Sequence, residues 1–147
     1  MSDDTEYLQF SKGLAKIPAK TNFLVLDDMD SMQVAVAKDI KRLGFTGDFY
    51  GAKAIDEAKL VLEKYPINFI FCDWNLQDGE IGIDFLKFVR QKHKHPKFPV
   101  VMFTTEDEVA NILEAVEAGA SGYVVKPWEI EDLKEKIAHA WNEFAKE

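Results

Sequence analysis

The chain has 147 residues with 47% hydrophobic and 30% charged, which suits one domain of ordinary size with a real core. Its formal net charge of −8 argues against non-specific binding to nucleic acid or anionic membrane, and no run approaches the roughly 20 apolar residues of a membrane-spanning helix. The opening Met1-Ser2-Asp3-Asp4 lacks the apolar stretch of a secretory signal and the single Cys72 forms no internal disulfide, so the expected location is the cytoplasm.

Residues 1–20 read as an N-terminal extension. Tyr7, Phe10, Leu14 and Ile17 recur at spacings of three and four, which predicts a short amphipathic helix ended by Pro18. Residues 21–147 read as the main domain. Phe23-Leu24-Val25-Leu26 predicts a strand buried on both faces. Asp30 or Ser31 is expected to cap a helix in which Met32, Val36, Ile40 and Leu43 share a face, with Gly44 as its stop. Phe49-Tyr50-Gly51 is a weaker strand, and 54–64 a helix through Ile55, Ala58 and Leu62 ended by Pro66. Asn68-Phe69-Ile70-Phe71-Cys72 is the next apolar run. A loop containing Asp78-Gly79 follows it, then a helix through Ile83, Leu86 and Val89 as far as His95-Pro96. Val100-Val101-Met102-Phe103 is a strand, 107–118 a helix closed by Gly119, and Tyr123-Val124-Val125 a strand. The last helix covers 129–145 through Ile130, Leu133, Ile137 and Trp141. Five strand–helix units in alternation predict an α/β fold, a five-stranded parallel sheet with helices on both faces.

In such a sheet, ligands sit beyond the carboxyl ends of the strands. The sequence places Asp27 and Asp28 after the first strand, Asp73 after the third, Thr104 and Thr105 after the fourth, and Lys126-Pro127 after the fifth. Three carboxylates at one edge repel one another and call for positive charge, which Lys126 and a hard divalent cation such as Mg²⁺ can supply. A carboxylate nucleophile with a metal, an ammonium and a hydroxyl around it is the chemistry of a phosphoryl acceptor. Singly, each residue has a blander reading. An Asp pair before a helix is more often a cap, Asp73 a turn residue and Thr104 a strand end. Their order at successive strand ends is what carries the argument.

Four stretches now bear comparison with a known family: Leu26-Asp27-Asp28, Cys72-Asp73-Trp74-Asn75, Phe103-Thr104-Thr105-Glu106, and Ala118-Gly119-Ala120-Ser121-Gly122-Tyr123-Val124-Val125-Lys126-Pro127-Trp128. Over residues 20–145 the chain resembles the receiver domain of bacterial response regulators, above all the stand-alone receivers typified by the chemotaxis response regulator. The resemblance implies a flavodoxin-like (βα)5 fold and phosphorylation of Asp73. The phosphoryl donor would be a sensor histidine kinase, a histidine phosphotransfer protein or a small phosphodonor. It implies Mg²⁺, with Mn²⁺ as a substitute, held by Asp27, Asp28, Asp73 and the backbone carbonyl of Asn75. Lys126 would pair with the phosphoryl group, its bond to Pro127 being cis. Thr104 would move in to donate a hydrogen bond and Tyr123 would turn inward, changing the surface of the fourth and fifth helices and the fifth strand for a protein partner. Asn75 and Glu106 would tune the phosphoryl lifetime. The implied role is that of a single-domain response regulator in a two-component system or phosphorelay. It would catalyse only its own phosphorylation and dephosphorylation, as a monomer or a phosphorylation-linked dimer. Chemotaxis and motor control is one such setting.

The chain also departs from the family. Receivers usually carry a proline where Gln77 stands, and the loop is one residue longer, with Asp78-Gly79-Glu80 before Gly82; its added carboxylates could bind metal through water, while a solvated Asp-Gly turn is the more ordinary reading. Asp107, Glu108, Glu114 and Glu117 with Val109 and Ile112, and Trp128 nearby, suggest a basic or apolar partner. His93 and His95 read as a solvated basic loop, His139 as a surface residue and Cys72 as a small core residue. An aspartyl phosphohydrolase would need a second carboxylate where Asn75 stands. A nucleotide or flavin binder would need a glycine- or hydroxyl-rich loop where Asp27-Asp28 stand. Two readings remain beside the phospho-switch: a relay intermediate passing phosphate to a histidine phosphotransfer protein, and a degenerate receiver serving as a phosphorylation-independent interaction module.

Overall fold

In the computed structural model, which describes residues 6–10, 16–92, 98–105 and 110–145, the apolar runs become strands because both their faces are covered. The elements are β1 (Tyr7–Leu8), β2 (Ile17–Pro18), β3 (Phe23–Leu26), α1 (Asp30–Arg42), β4 (Phe49–Ala52) and α2 (Ile55–Lys64). They continue as β5 (Phe69–Asp73), α3 (Gly82–Lys92), β6 (Val100–Thr104), α4 (Ile112–Glu117), β7 (Gly122–Val125) and α5 (Ile130–Ala145). The main sheet has the order β4-β3-β5-β6-β7, and every pairing in it is parallel. This is the flavodoxin-like architecture expected.

Alternate residues of the central strands face opposite layers. Phe23, Val25, Phe69, Phe71, Val101 and Phe103 pack with Val36 and Ile40 of α1 and with Leu133 and Ile137 of α5. Leu24, Leu26, Ile70, Cys72, Val100 and Met102 pack instead with α2, α3 and α4 through Ala58, Leu86 and Ala115. On the first face Phe23, Phe71 and Phe103 form a stacked row with centroids 5.8 and 5.4 Å apart, and Trp128 extends it at 5.0 Å. Trp128 also donates from its indole nitrogen to Asp39 of α1 at 2.9 Å. The ring therefore lies on the α1–α5 side of the sheet, whereas Tyr123 packs on the α2–α4 side. Trp128, expected near the acidic residues around α4, thus packs on the opposite face of the sheet from Tyr123.

Three local readings change. The described part of the extension is not helical: β1 and β2 pair antiparallel, Tyr7 opposite Pro18 and Leu8 opposite Ile17, while Leu14 lies outside the described residues. Tertiary contacts override the helical spacing here. Ile17 and Ala19 are buried, Phe10 meets Phe45 edge-on at 5.8 Å, and Thr46 N–H donates to the Ala19 carbonyl at 2.7 Å. Neither Asp30 nor Ser31 caps α1. The cap position is Met29, whose N–H donates to Asp27 Oδ1 at 2.9 Å. The helix expected over 107–118 is described from Ile112, and 106–109 lie outside the described residues, as do His93 and His95. Gly119 closes α4 as expected. At φ 105° it lets Ala120 N–H return to the Ala115 carbonyl at 3.0 Å.

β3 is followed in sequence by a neighbour on one side, β4, and then by a neighbour on the other, β5. The chain thus reverses direction across the sheet at the β3–β5 boundary, where the crevice of an open parallel sheet forms. Asp27 and Asp73 flank that boundary.

Candidate functional site

Each acidic residue of the site is placed by a strand end. Asp27 follows β3, with its N–H on the Ala52 carbonyl at 2.9 Å, and Asp73 is the last residue of β5. Asp27, Asp28 and Asp73 each present a carboxylate oxygen within 4.8 Å of the others. Lys126, just past β7, reaches between them: its Nζ lies 3.1 Å from Asp27 Oδ2 and 3.1 Å from Asp73 Oδ1. The lysine is held in register by its own N–H on the Thr104 carbonyl at 2.7 Å, and its bond to Pro127 is cis. Asp27 is 1% exposed and Asp73 9%, so these charges interact at low effective dielectric.

The electrostatics follow. Burial pushes the Asp73 carboxyl up to about 6, Lys126 pulls against that shift, and the neighbouring charge of Asp27 adds to it. Burial alone would lower the Lys126 ammonium, but Asp73 and Asp27 outweigh it and its pKa is raised. Burial, with Asp73 and Asp27 adding to it, raises the Cys72 thiol far above the range in which a thiolate forms, so Cys72 is a core residue. Three carboxylates and one ammonium leave two net negative charges in one pocket. The donor set is all oxygen and hard, which fits one divalent cation of the Mg²⁺ type.

The other expected residues surround this centre. Thr104 ends β6, buried, and its hydroxyl donates to the Thr105 carbonyl at 3.2 Å. Tyr123 is half-buried on β7, with Lys136 Nζ of α5 4.6 Å from its ring centroid. Asn75 is exposed and bridges antiparallel to Ile81. Glu106 lies outside the described residues.

The longer loop after Asp73 is a closed turn. Gln77–Gly79 form one turn of 3₁₀ helix with Asp78 at φ 57°, Leu76 N–H donates to the Glu80 carbonyl at 3.0 Å, and Gly82 N–H donates to the Trp74 carbonyl at 2.7 Å. Gly82 has no substitute, because a Cβ there would collide with the Asp73 carbonyl and Cys72 Sγ.

Two further residues brace these loops: Gln33, which carried no signal in the sequence, and Glu80, which stood out there only as part of the altered loop. Gln33 on α1 donates from Nε2 to the carbonyls of Asp27 at 2.8 Å and Ala52 at 3.1 Å. Glu80 accepts the Ile55 N–H at 3.2 Å. The available signal for Glu80 was Ala54 at the cap position of α2, a residue that cannot satisfy the helix's first N–H groups itself.

The model of the response regulator receiver domain matches residues 23–138 of this chain. The chain belongs to the receiver family. It is 39% identical over 116 residues to the chemotaxis protein CheY of Pseudomonas aeruginosa, covering 78% of this chain and 90% of that one. Among solved structures it is similar to the chemotaxis response regulator CheY4 of Vibrio cholerae, with a TM-score of 0.71 and 27% identity over 82% of this chain and 98% of that one. NtrX of Brucella abortus shares the fold, with a TM-score of 0.76 and 23% identity over 85% of this chain. This chain spans only 28% of the NtrX chain. The receiver described here is thus that of a CheY-like response regulator of a two-component system, from a family of signalling proteins that take histidine kinases or phosphotransfer proteins as partners. No helix among its described residues is long and apolar enough to cross a membrane.

Proposed function

We propose that this receiver accepts a phosphoryl group on Asp73 in a Mg²⁺-dependent reaction and answers by changing its α4–β7–α5 face for a protein partner. One observation carries the reading: Lys126 Nζ stands 3.1 Å from both Asp27 and Asp73 within a cluster of three carboxylates that needs further positive charge. A carboxylate oxygen of Asp73 attacks phosphorus of a phosphohistidine or acyl phosphate. The new P–O bond forms as the old P–N or P–O bond breaks, and the leaving group keeps the bonding pair. Asp27, Asp28, Asp73 and the Asn75 carbonyl would hold Mg²⁺, whose charge offsets that of the carboxylates and the incoming phosphoryl group.

The lysine then transfers its pairing from the Asp73 carboxylate to a phosphoryl oxygen. The Thr104 hydroxyl leaves the Thr105 carbonyl and donates to another. Moving a two-state molecule from mostly off to mostly on takes about 5 kcal/mol of differential binding. Charge-assisted bonds of about 1.5–3 kcal/mol each supply much of that from these two residues. The departure of Thr104 opens room for Tyr123 to turn in from its place under Lys136. By the family resemblance, Asn75 and Glu106 would tune the lifetime of the acyl phosphate.

Trp74 is 7% exposed and adjacent to Asp73, so its fluorescence is the natural report. Titration with Mg²⁺ and then beryllofluoride or acetyl phosphate is expected to give a saturable change that is lost in Asp73→Asn and in Trp74→Phe. Acetyl phosphate should also leave one phosphoryl group by intact mass. A folded protein with neither signal would sink the reading and leave a phosphorylation-independent interaction module.

A further inference from the structure

The loop after Asp73 departs from the family's pattern, yet it is tied down at both ends of one residue. Glu80 uses its backbone carbonyl to receive the Leu76 N–H at 3.0 Å, and its carboxylate to receive the Ile55 N–H at 3.2 Å. The first bond fixes a particular peptide plane. The Leu76 N–H and the Asn75 carbonyl belong to the same rigid trans unit and point in opposite directions. Turning the N–H onto Glu80 therefore aims the Asn75 carbonyl away from Glu80. The second bond anchors the residue that does the aiming. Ala54, at the cap of α2, has no side chain to satisfy the helix's leading N–H groups. A carboxylate from another loop satisfies one of them and sits at the positive end of the helix.

The anchor is itself braced. Glu57 Oε2 accepts the Lys53 N–H at 3.1 Å, and Gln33 ties the Ala52 carbonyl to the Asp27 carbonyl. The β4–α2 turn contributes no residue to the carboxylate cluster, yet the loops carrying Asp27 and Asp73 are both fastened to it.

We infer that Glu80 is a positioning residue for the cation site: by capping α2 from the β5–α3 loop it holds the Asn75 carbonyl in place, in a loop that has Gln77 where the family usually has proline. The inference rests on the Mg²⁺ reading above. Its test is the Mg²⁺ affinity of the folded protein, read from Trp74 fluorescence without any phosphodonor, with thermal stability measured alongside. Glu80→Ala is expected to weaken Mg²⁺ binding roughly tenfold, the low end of the losses caused by removing an outer-sphere partner. Glu80→Gln retains a carbonyl acceptor and should restore most of the affinity. Asp56→Ala, which removes an exposed acid from the first turn of α2 without touching the loop, should lower stability slightly and leave Mg²⁺ binding unchanged. If Glu80→Ala loses stability but binds Mg²⁺ as the wild type does, Glu80 is only a helix cap and the inference is overturned. A wild type that gives no Mg²⁺ response overturns the cation reading itself, and the inference with it.

Discussion

Asp73 is ionised at neutral pH against the grain of its surroundings. Its carboxyl titrates at about 6 in the folded chain against an ordinary 3.8, chiefly because it is buried. The folded state therefore binds this proton more readily than the unfolded one. The penalty of ionising Asp73 is absent below pH 3.8, grows as pH rises through the interval to 6, and is complete above it. Solvent still reaches the group, so the penalty is on the order of 1–2 kcal/mol rather than the full value of the shift. Asp73→Asn should accordingly melt a few degrees higher than wild type at pH 7.5 with chelator present, and the gain should vanish near pH 4. Saturating Mg²⁺ should raise the wild type more than the variant, because only the wild type keeps all three carboxylates of the cluster. Thermal melts at two pH values, with and without the ion, decide it. An Asn variant less stable than wild type in chelator at pH 7.5 would show that the Lys126 pair outweighs the burial of the charge.

At the scale of elements, the face made by α4, β7 and α5 carries apolar side chains at its surface. Leu113 and Val116 of α4 stand largely exposed, and Tyr123 is covered by Lys136 at 4.6 Å. A cation over a half-buried tyrosine at the surface contributes about 0.5–1 kcal/mol to keeping that ring outward. Lys136→Gln removes this hold without altering the phosphoryl pocket, so it should tighten beryllofluoride binding by roughly two- to fivefold in the presence of Mg²⁺. Unchanged affinity would mean that Tyr123 and the pocket are not coupled. The strand that carries Tyr123 was legible in the sequence, as were the other four, most clearly those buried on both faces, which leave an unbroken apolar run. Residue order then put Asp27, Asp28, Asp73, Thr104 and Lys126 at one edge. What stayed hidden depends on partners distant in sequence. The spacing of Tyr7, Phe10 and Ile17 suits a helix, but Phe45 and Ala19 draw that segment into a hairpin. The hold of Glu80 on α2 stayed hidden because the Ile55 N–H it receives lies 25 positions earlier.

The whole molecule divides along its strands. At their carboxyl ends stand the buried charges and the loops that brace them. Their amino ends are closed by the hairpin and by Asn22, which donates to the Pro66 carbonyl at 2.9 Å and accepts the Asp48 N–H at 2.8 Å. A four- or five-residue strand separates the two edges by roughly 13–17 Å, at about 3.3 Å per residue. Substitutions that far apart with no shared partners add to within about 0.5 kcal/mol. Ile17, 1% exposed beneath the amino-terminal edge, makes the test. Ile17→Val should cost about 0.5–1.5 kcal/mol through a lost methylene, and leave Mg²⁺ affinity as it was. Combined with Asp73→Asn in chelator, the two effects should sum, the first destabilising and the second stabilising. A coupling larger than the additive limit would mean that the sheet transmits packing changes from its sealed edge to its reactive one. The hairpin would then belong to the switch as well as to the fold.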